Sequence, residues 1–473
     1  MRTRFVCLSF GALAWLLPVA SSADDVQEQL RQMQDRMTQM EDRLQATTDQ
    51  LDDANDRVER QQELIDRSGL AELRPGASGL ASFLDTLEIG GWVAGSYFYN
   101  FNSPNGESLG GANSGATGFA YPFHPDANSF SVDQLWFELE RPVDESNRAG
   151  FRADIAFGKT ASVLGSSQGT SGDGLSLDET DLEVYQAYVQ YLAPIAEGVT
   201  FKFGKFGTTI GTEVAPTIYN WNITRGNVYN LFEPITHVGI IANMPFAEYF
   251  DVSLGYVNEN VSDVDVDLNL NKGVLWRLGF TQETFSLAFN GVWGSTNSAL
   301  GTTVAGGSAF GEGALESDKE HIFNLIFTWD PLENFSMWIN ADYRTVEIDQ
   351  VDSLEALFPD DEVDGWGVAI AGRAALTERL GLALRGEYVD DQDSFFTRLG
   401  TSGFASPGDA TKIFSVTSTL DYSLTEKLLV RGEVRYDVAD VQDTNDDAVY
   451  VDDEAGEYED DQIVAGVEVV YKF

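Results

Sequence analysis

Residues 428–438 read Leu-Leu-Val-Arg-Gly-Glu-Val-Arg-Tyr-Asp-Val. Leu428, Val430, Val434, Tyr436 and Val438 share one parity, and Arg431, Glu433, Arg435 and Asp437 share the other. A period of two puts the sets on opposite faces of a strand. The pattern recurs. Leu380, Leu382, Leu384 and Tyr388 face away from Arg385 and Glu387, and Phe151, Ile155 and Phe157 alternate with Arg152, Asp154 and Ala156. Sixteen such stretches run from about Thr86 to Phe473. One alternating stretch is weak evidence; an ordered series with regular spacing predicts an all-β fold.

The connections narrow the choice. Short ones lie at Pro142–Asn147, Pro194–Gly198, Pro245–Glu248, Gln282–Glu283, Pro331–Glu333, Thr377–Glu378 and Thr425–Glu426. Long ones lie near 102–129, 159–180, 207–235, 259–272, 295–319, 348–363, 391–410 and 441–460. Short turns on one rim and long loops on the other are the pattern of a transmembrane barrel with an even strand number. Each strand needs about 9–11 residues to cross at a tilt. A soluble sandwich or propeller is the rival, and parity alone does not say which face points inward. The even count and the unequal connections favour an all-β transmembrane barrel of 16 antiparallel strands over 86–473.

Upstream of the barrel the chain changes character three times. Residues 1–23 begin Met-Arg-Thr-Arg, run apolar from Phe5 to Ala20 and end Ser21-Ser22-Ala23. That is the pattern of a secretory signal peptide, with cleavage after Ala23 expected. Its Cys7 is the chain's sole cysteine, so no disulfide or cysteine metal site is expected in the mature protein. Within 24–67, Val26, Leu30, Met33, Met37, Met40, Leu44, Thr47, Leu51, Ala54, Val58, Gln61 and Ile65 are spaced four and three. This heptad predicts an α-helical coiled coil in the periplasm, about 60 Å long at 1.5 Å per residue. Three strands are expected, so the partner would be a homotrimer joined through rod and barrel walls. A helix lying along one barrel, or tethered to the cell wall, is the alternative. Residues 68–85, with Gly69, Pro75, Gly76 and Gly79, read as a linker.

The formal charge is −47. Such a surface excludes nucleic-acid binding, which needs basic groups for phosphate. Acids and bases balance on the polar strand faces, so the excess sits in the amino-terminal segment and in loops such as Asp360-Asp361-Glu362 and Asp452-Asp453-Glu454. These are solvated loops, or they bridge lipopolysaccharide through divalent cations. Catalysis is not expected. The histidines are His124, His237 and His321, none with a serine at a telling spacing, and their scatter makes no zinc pattern. No cofactor is expected. Asp263, Asp265 and Asp267 lack the glycine of an EF-hand loop.

A barrel of this strand number encloses an aqueous channel unless something fills it. The third long loop, 207–235, carries Ile218, Tyr219, Trp221, Tyr229, Leu231 and Phe232 and is less acidic than the others. A loop reaching into water would not need them. Folded inward, it would place Glu213, Asn222 and Arg225 at a constriction, with Lys202 and Lys205 leading in. Alternatively, Arg225 and Glu213 pair with each other to hold the loop. Arg152, Arg277, Arg344, Arg373, Arg385, Arg431 and Arg435 are the expected basic lumen wall.

A resemblance sits on this segment. Lys205-Phe206-Gly207, Gly211, Glu213, Asn220-Trp221-Asn222 with Arg225, and Pro234 with His237 and Gly239 resemble the signature of the OmpL-like β-barrel porins. They are also similar to trimeric porins that carry an amino-terminal periplasmic coiled coil and take up dicarboxylates. The chain departs from the family at Arg225-Gly226, where Arg-Ser is usual. Its end, Tyr471-Lys472-Phe473, resembles the aromatic terminus of outer-membrane proteins. The resemblance implies passive uptake of small, often anionic, solutes across the outer membrane. A general cation-leaning pore and a surface receptor or adhesion barrel are the rivals.

Overall fold

The computed structural model describes residues 86–102, 121–124, 126–166, 182–258, 272–295, 319–347, 362–392, 395–398, 410–441, 450–452 and 457–473. The expected signal peptide, coiled coil and linker lie outside them, as do the tips of most long loops.

Sixteen antiparallel strands close into one barrel. They are β1 (Glu88–Asn100), β2 (Ser129–Arg141), β3 (Ala149–Phe157), β4 (Leu182–Ala193), β5 (Val199–Gly207), β6 (Thr236–Ala247), β7 (Phe250–Val257), β8 (Gly273–Thr281), β9 (Phe285–Ser295), β10 (Lys319–Leu332), β11 (Phe335–Glu347), β12 (Glu362–Ala375), β13 (Leu380–Asp391), β14 (Thr411–Ser423), β15 (Leu428–Val441) and β18 (Asp461–Lys472). Two short strands, β16 (Tyr450–Asp452) and β17 (Glu457–Glu459), pair separately in the last long connection. Among the described residues, three α-helical segments lie in the long connections: α1 (Lys159–Ser166), α2 (Asn227–Phe232) and α3 (Phe395–Arg398).

Strand β14 shows which face is which. Ser415, Thr417 and Thr419 are fully buried, whereas Phe414, Val416, Leu420 and Tyr422 are 42–49% exposed. The polar parity faces the lumen and the apolar parity faces out, which inverts a soluble barrel. An outward apolar band with an inward polar wall is what lipid requires, since a Lys or Arg on the lipid face costs about 2–4 kcal/mol at the midplane. Aromatic side chains gather at the turn rim, where Phe250 packs on Phe246 and Phe280 at 5.8 and 4.9 Å between ring centroids.

Closure occurs between the two ends of the fold. β1 pairs with β18 from Trp92↔Lys472 to Asn100↔Val464, and the amide of Phe473 donates to the carbonyl of Gly91 at 3.0 Å. The Phe473 ring lies over Gly91 and meets Phe137 at 5.6 Å. With no free edge in the barrel, each of its strands finds its backbone partners inside the protein, as a bilayer demands.

Candidate functional site

The connection from β5 to β6 turns into the barrel. Its root is zipped by the amide of Thr208 donating to the carbonyl of Ile235 (3.1 Å) and by His237 Nε2 against Thr208 Oγ1 (3.0 Å). It carries a 3-10 turn at Thr217–Tyr219 and the short helix α2. Of the six apolar residues expected to fold inward, Tyr229, Leu231 and Phe232 are buried, Ile218 and Trp221 are half-buried, and Tyr219 is exposed. Ile210, Ile223, Val228, Leu231 and Phe232 are buried within the barrel.

Wall and loop hold each other by charge-assisted hydrogen bonds to backbone. Arg344 Nη1 donates to the Leu231 carbonyl (2.7 Å), Arg385 Nη1 to Thr224 (2.8 Å), Arg431 Nη1 to Asn220 (2.9 Å) and Arg435 Nη1 to Arg225 (2.8 Å). Glu433 does the converse, accepting from the amides of Ile223 (2.6 Å) and Thr224 (3.0 Å). Each arginine also holds a wall acid. Arg344 pairs with Glu320, Arg385 with Glu387 at 3.1 Å, Arg431 with Glu468 and Arg435 with Asp437 at 2.8 Å. Buried charges persist only when paired and hydrogen-bonded, and here the loop backbone supplies bonds that the wall acids alone do not. These four arginines, expected to line open lumen, lie beneath the loop.

The remaining expected residues divide. Glu213 Oε1 accepts from Arg385 (2.6 Å) and Oε2 from the Gly226 amide (2.8 Å), so its ionic partner is Arg385 and not Arg225. Burial pushes the Glu213 carboxyl above its ordinary value and Arg385 opposes the rise. Arg225 is 2% exposed and donates to the loop's own carbonyls, at Val214 (3.1 Å), Ile223 (2.8 Å) and Ala215. It pins the loop from within. Asn222 is buried, donating to Thr419 Oγ1 at 2.7 Å. Lys205 is buried against Glu183 at 2.7 Å. Gly226 explains the departure from Arg-Ser: a Cβ there would strike the carboxylates of Glu387 and Glu213.

Arg152, Arg277, Arg373 and Lys202 keep access to water. Arg152 (side chain 23% exposed) bonds Glu138 (2.9 Å), Glu140 (3.0 Å) and Asp154 (2.9 Å). Arg277 pairs with Asp251 at 3.3 Å and Arg373 with Asp421 at 2.7 Å. Lys202 Nζ rests over the Tyr188 ring, 4.7 Å from its centroid. Of the expected wall and constriction cations on the strands, Lys202 has no carboxylate in an ion pair among the described residues.

Sequence reading missed two loop-edge aromatics as site residues. Tyr219 is 55% exposed and donates to Glu138 at 3.0 Å, while Trp221 stacks on Trp338 at 6.2 Å. It also missed packing from other loops. Phe123 lies under the Arg225 guanidinium (5.1 Å), α1 buries Ala161 and Leu164 beside Trp92 and Trp136, and Phe396 of α3 meets Phe232 (5.5 Å). Their signal was aromatic residues in polar loops, which gives no partner.

Residues 86–473 match the family model "Putative beta-barrel porin-2, OmpL-like". The chain belongs to that family. It is thus an outer-membrane β-barrel porin, and the OmpL-like expectation holds over the whole barrel. Among solved structures, a loop L8 deletion mutant of OmpT, an outer membrane protein of Vibrio cholerae, has a TM-score of 0.50 at 11% identity, covering 82% of this chain and 99% of that one. The outer membrane channel DcaP of Acinetobacter baumannii has a TM-score of 0.49 at 11% identity, covering 82% and 97%. An anion-selective porin from Comamonas acidovorans has a TM-score of 0.49 at 10% identity, covering 82% and 99%. At these identities the first likeness speaks for the porin's fold alone. No curated protein matches the sequence.

Proposed function

We propose that this porin passes small carboxylates by diffusion, with loop 207–235 as the constriction and Lys202 as the group that meets the anion. One observation carries the reading. The other strand cations of the expected site are neutralised by adjacent acids, whereas Lys202 rests over the Tyr188 ring and forms no ion pair among the described residues. Loop bonds run to β10, β11, β13, β14, β15, β18 and β2. The proposed solute path runs past the Tyr219 edge of the loop beside Lys202, and is narrowed where Ile210 at the loop's root packs with Tyr188, Ile241, Val257, Leu275 and Val292 of the facing wall. Loop-tip acids are screened within about 8–10 Å at physiological salt, so the nearest lumen charges set selectivity.

The working unit is a homotrimer joined through barrel walls and a periplasmic coiled coil at 24–67, on the strength of the heptad. Its acidic loops face lipopolysaccharide. A cation-leaning pore is the second reading, favoured by Glu138, Glu140 and Asp154 around the single guanidinium of Arg152. Bilayer recording in a salt gradient separates the two. Replacing Lys202 by Ala is expected to move the reversal potential toward cations and to relieve carboxylate block. An unchanged reversal potential in Lys202→Ala would leave the cation-leaning pore.

A further inference from the structure

We propose that His124, Asp133 and Glu468 form a binding site for a first-row divalent cation, zinc foremost, that ties the first long loop to the barrel seam. The three come from the returning limb of the first loop, from β2 and from β18. One ligand atom of each lies within 4.8 Å of the others, and all three residues are buried, at 5%, 2% and 0% exposure.

One observation points beyond a chance meeting. Asp133 Oδ1 accepts from Ser131 Oγ, while its Oδ2 is buried without a hydrogen-bond partner among the described residues. A buried carboxylate oxygen left bare needs an explanation, and an ion is one. The imidazole is also held in place. Phe98 packs on the His124 ring at 4.9 Å, and the His124 amide donates to the Tyr121 carbonyl at 3.0 Å, so the side chain is already aimed.

The donor set selects the metal class. One nitrogen and two carboxylate oxygens suit zinc and its neighbours, whereas calcium prefers an all-oxygen shell. Tetrahedral bonds of about 2.1 Å separate ligand atoms by about 3.4 Å, so binding draws the triad inward. Glu468 keeps coordinating capacity, since Arg431 occupies one oxygen and Thr217 Oγ1 donates to the other at 2.8 Å, and a carboxylate offers about four lone-pair sites. Arg225 and Arg431 oppose the cation and weaken the site without abolishing it. The consequence is structural. A cation at His124 fixes Phe123, which lies under the Arg225 guanidinium of the lumen loop.

The test uses the folded full-length protein in detergent, stripped with chelator and titrated with Co2+, then with competing Zn2+. The expected result is saturable Co2+ absorption with a single equivalent per chain, displaced by Zn2+, and a Zn2+-dependent rise in the unfolding temperature. His124→Ala and the isosteric Asp133→Asn should each weaken binding at least about tenfold, with heat-modifiable migration confirming folded barrels. His321→Ala, beside Trp293 at 5.6 Å, should bind as the parent does. Absence of saturable Co2+ binding in the parent protein overturns the proposal whatever the variants do. So does binding that survives His124→Ala, and a water molecule would then satisfy Asp133.

Discussion

Arg385 on β13 and Glu213 on the lumen loop meet at 2.6 Å, with side chains 0% and 7% exposed. The same guanidinium reaches Glu387 and the Thr224 carbonyl, so one residue joins the wall to both limbs of the loop. Arg385→Ala would leave two buried carboxylates without their cation. Removing one partner of a buried pair costs about 3–5 kcal/mol. The loop is expected to leave the wall, seen as larger and noisier single-channel conductance; conductance identical to the parent would deny the loop its role in narrowing the lumen.

Arg225 and Lys202 should separate cleanly. Arg225 bonds three carbonyls of its own loop, so Arg225→Ala is expected to disorder the loop and lower thermal stability. Lys cannot replace it, because an ammonium lacks the planar fork. Selectivity at fixed conductance should instead follow Lys202. A pure selectivity change in Arg225→Lys, with normal stability and conductance, would show that Arg225 meets solute.

Glu233 predicts a pH dependence. Asn340 Nδ2 bridges it to Asp342, at 2.7 Å to each. Burial, then the Asp342 and Glu213 carboxylates, pushes the Glu233 carboxyl well above its ordinary 4.5. Between 4.5 and that raised value the docked state holds the proton and the undocked state does not. Docking therefore weakens as pH rises through this window and is strongest below it. Open-channel noise should grow with pH in the parent and grow less steeply in Glu233→Gln, where Glu213 still titrates with its raised value. Equal pH slopes in both proteins would exclude this group.

Phe473 should govern barrel assembly. Its ring fills the space left by Gly91, where a Cβ would approach the ring to 2.5 Å. Phe473→Ser is expected to reduce the yield of heat-modifiable barrel in membranes, and Gly91→Ala to do so through the clash. Parental yield from both variants would detach the seam packing from assembly.

Parity in the sequence determined the barrel. Alternation in Leu428–Val438 and its counterparts assigns each side chain to a face, and the unequal connections assign each end to a rim. Both are local properties, and the observed strands begin and end within a few residues of the expected ones. The aromatic content of 207–235 likewise told that this loop needs an apolar surface. Tertiary structure alone decided which charges meet. Arg385 and Glu213 are 172 residues apart, and Arg431 and Asn220 are 211 apart. Parity says that Arg344, Arg385, Arg431 and Arg435 point inward, yet it cannot say that a loop backbone arrives to cover them. Residue type made Arg225 a cation for solute; its environment made it a donor to three carbonyls. The triad of His124, Asp133 and Glu468 has no spacing that a sequence motif could show, because barrel closure brings the first and last strands together. Alternation is written in neighbours along the chain, whereas ion pairing in the lumen depends on closure and on how the loop folds back.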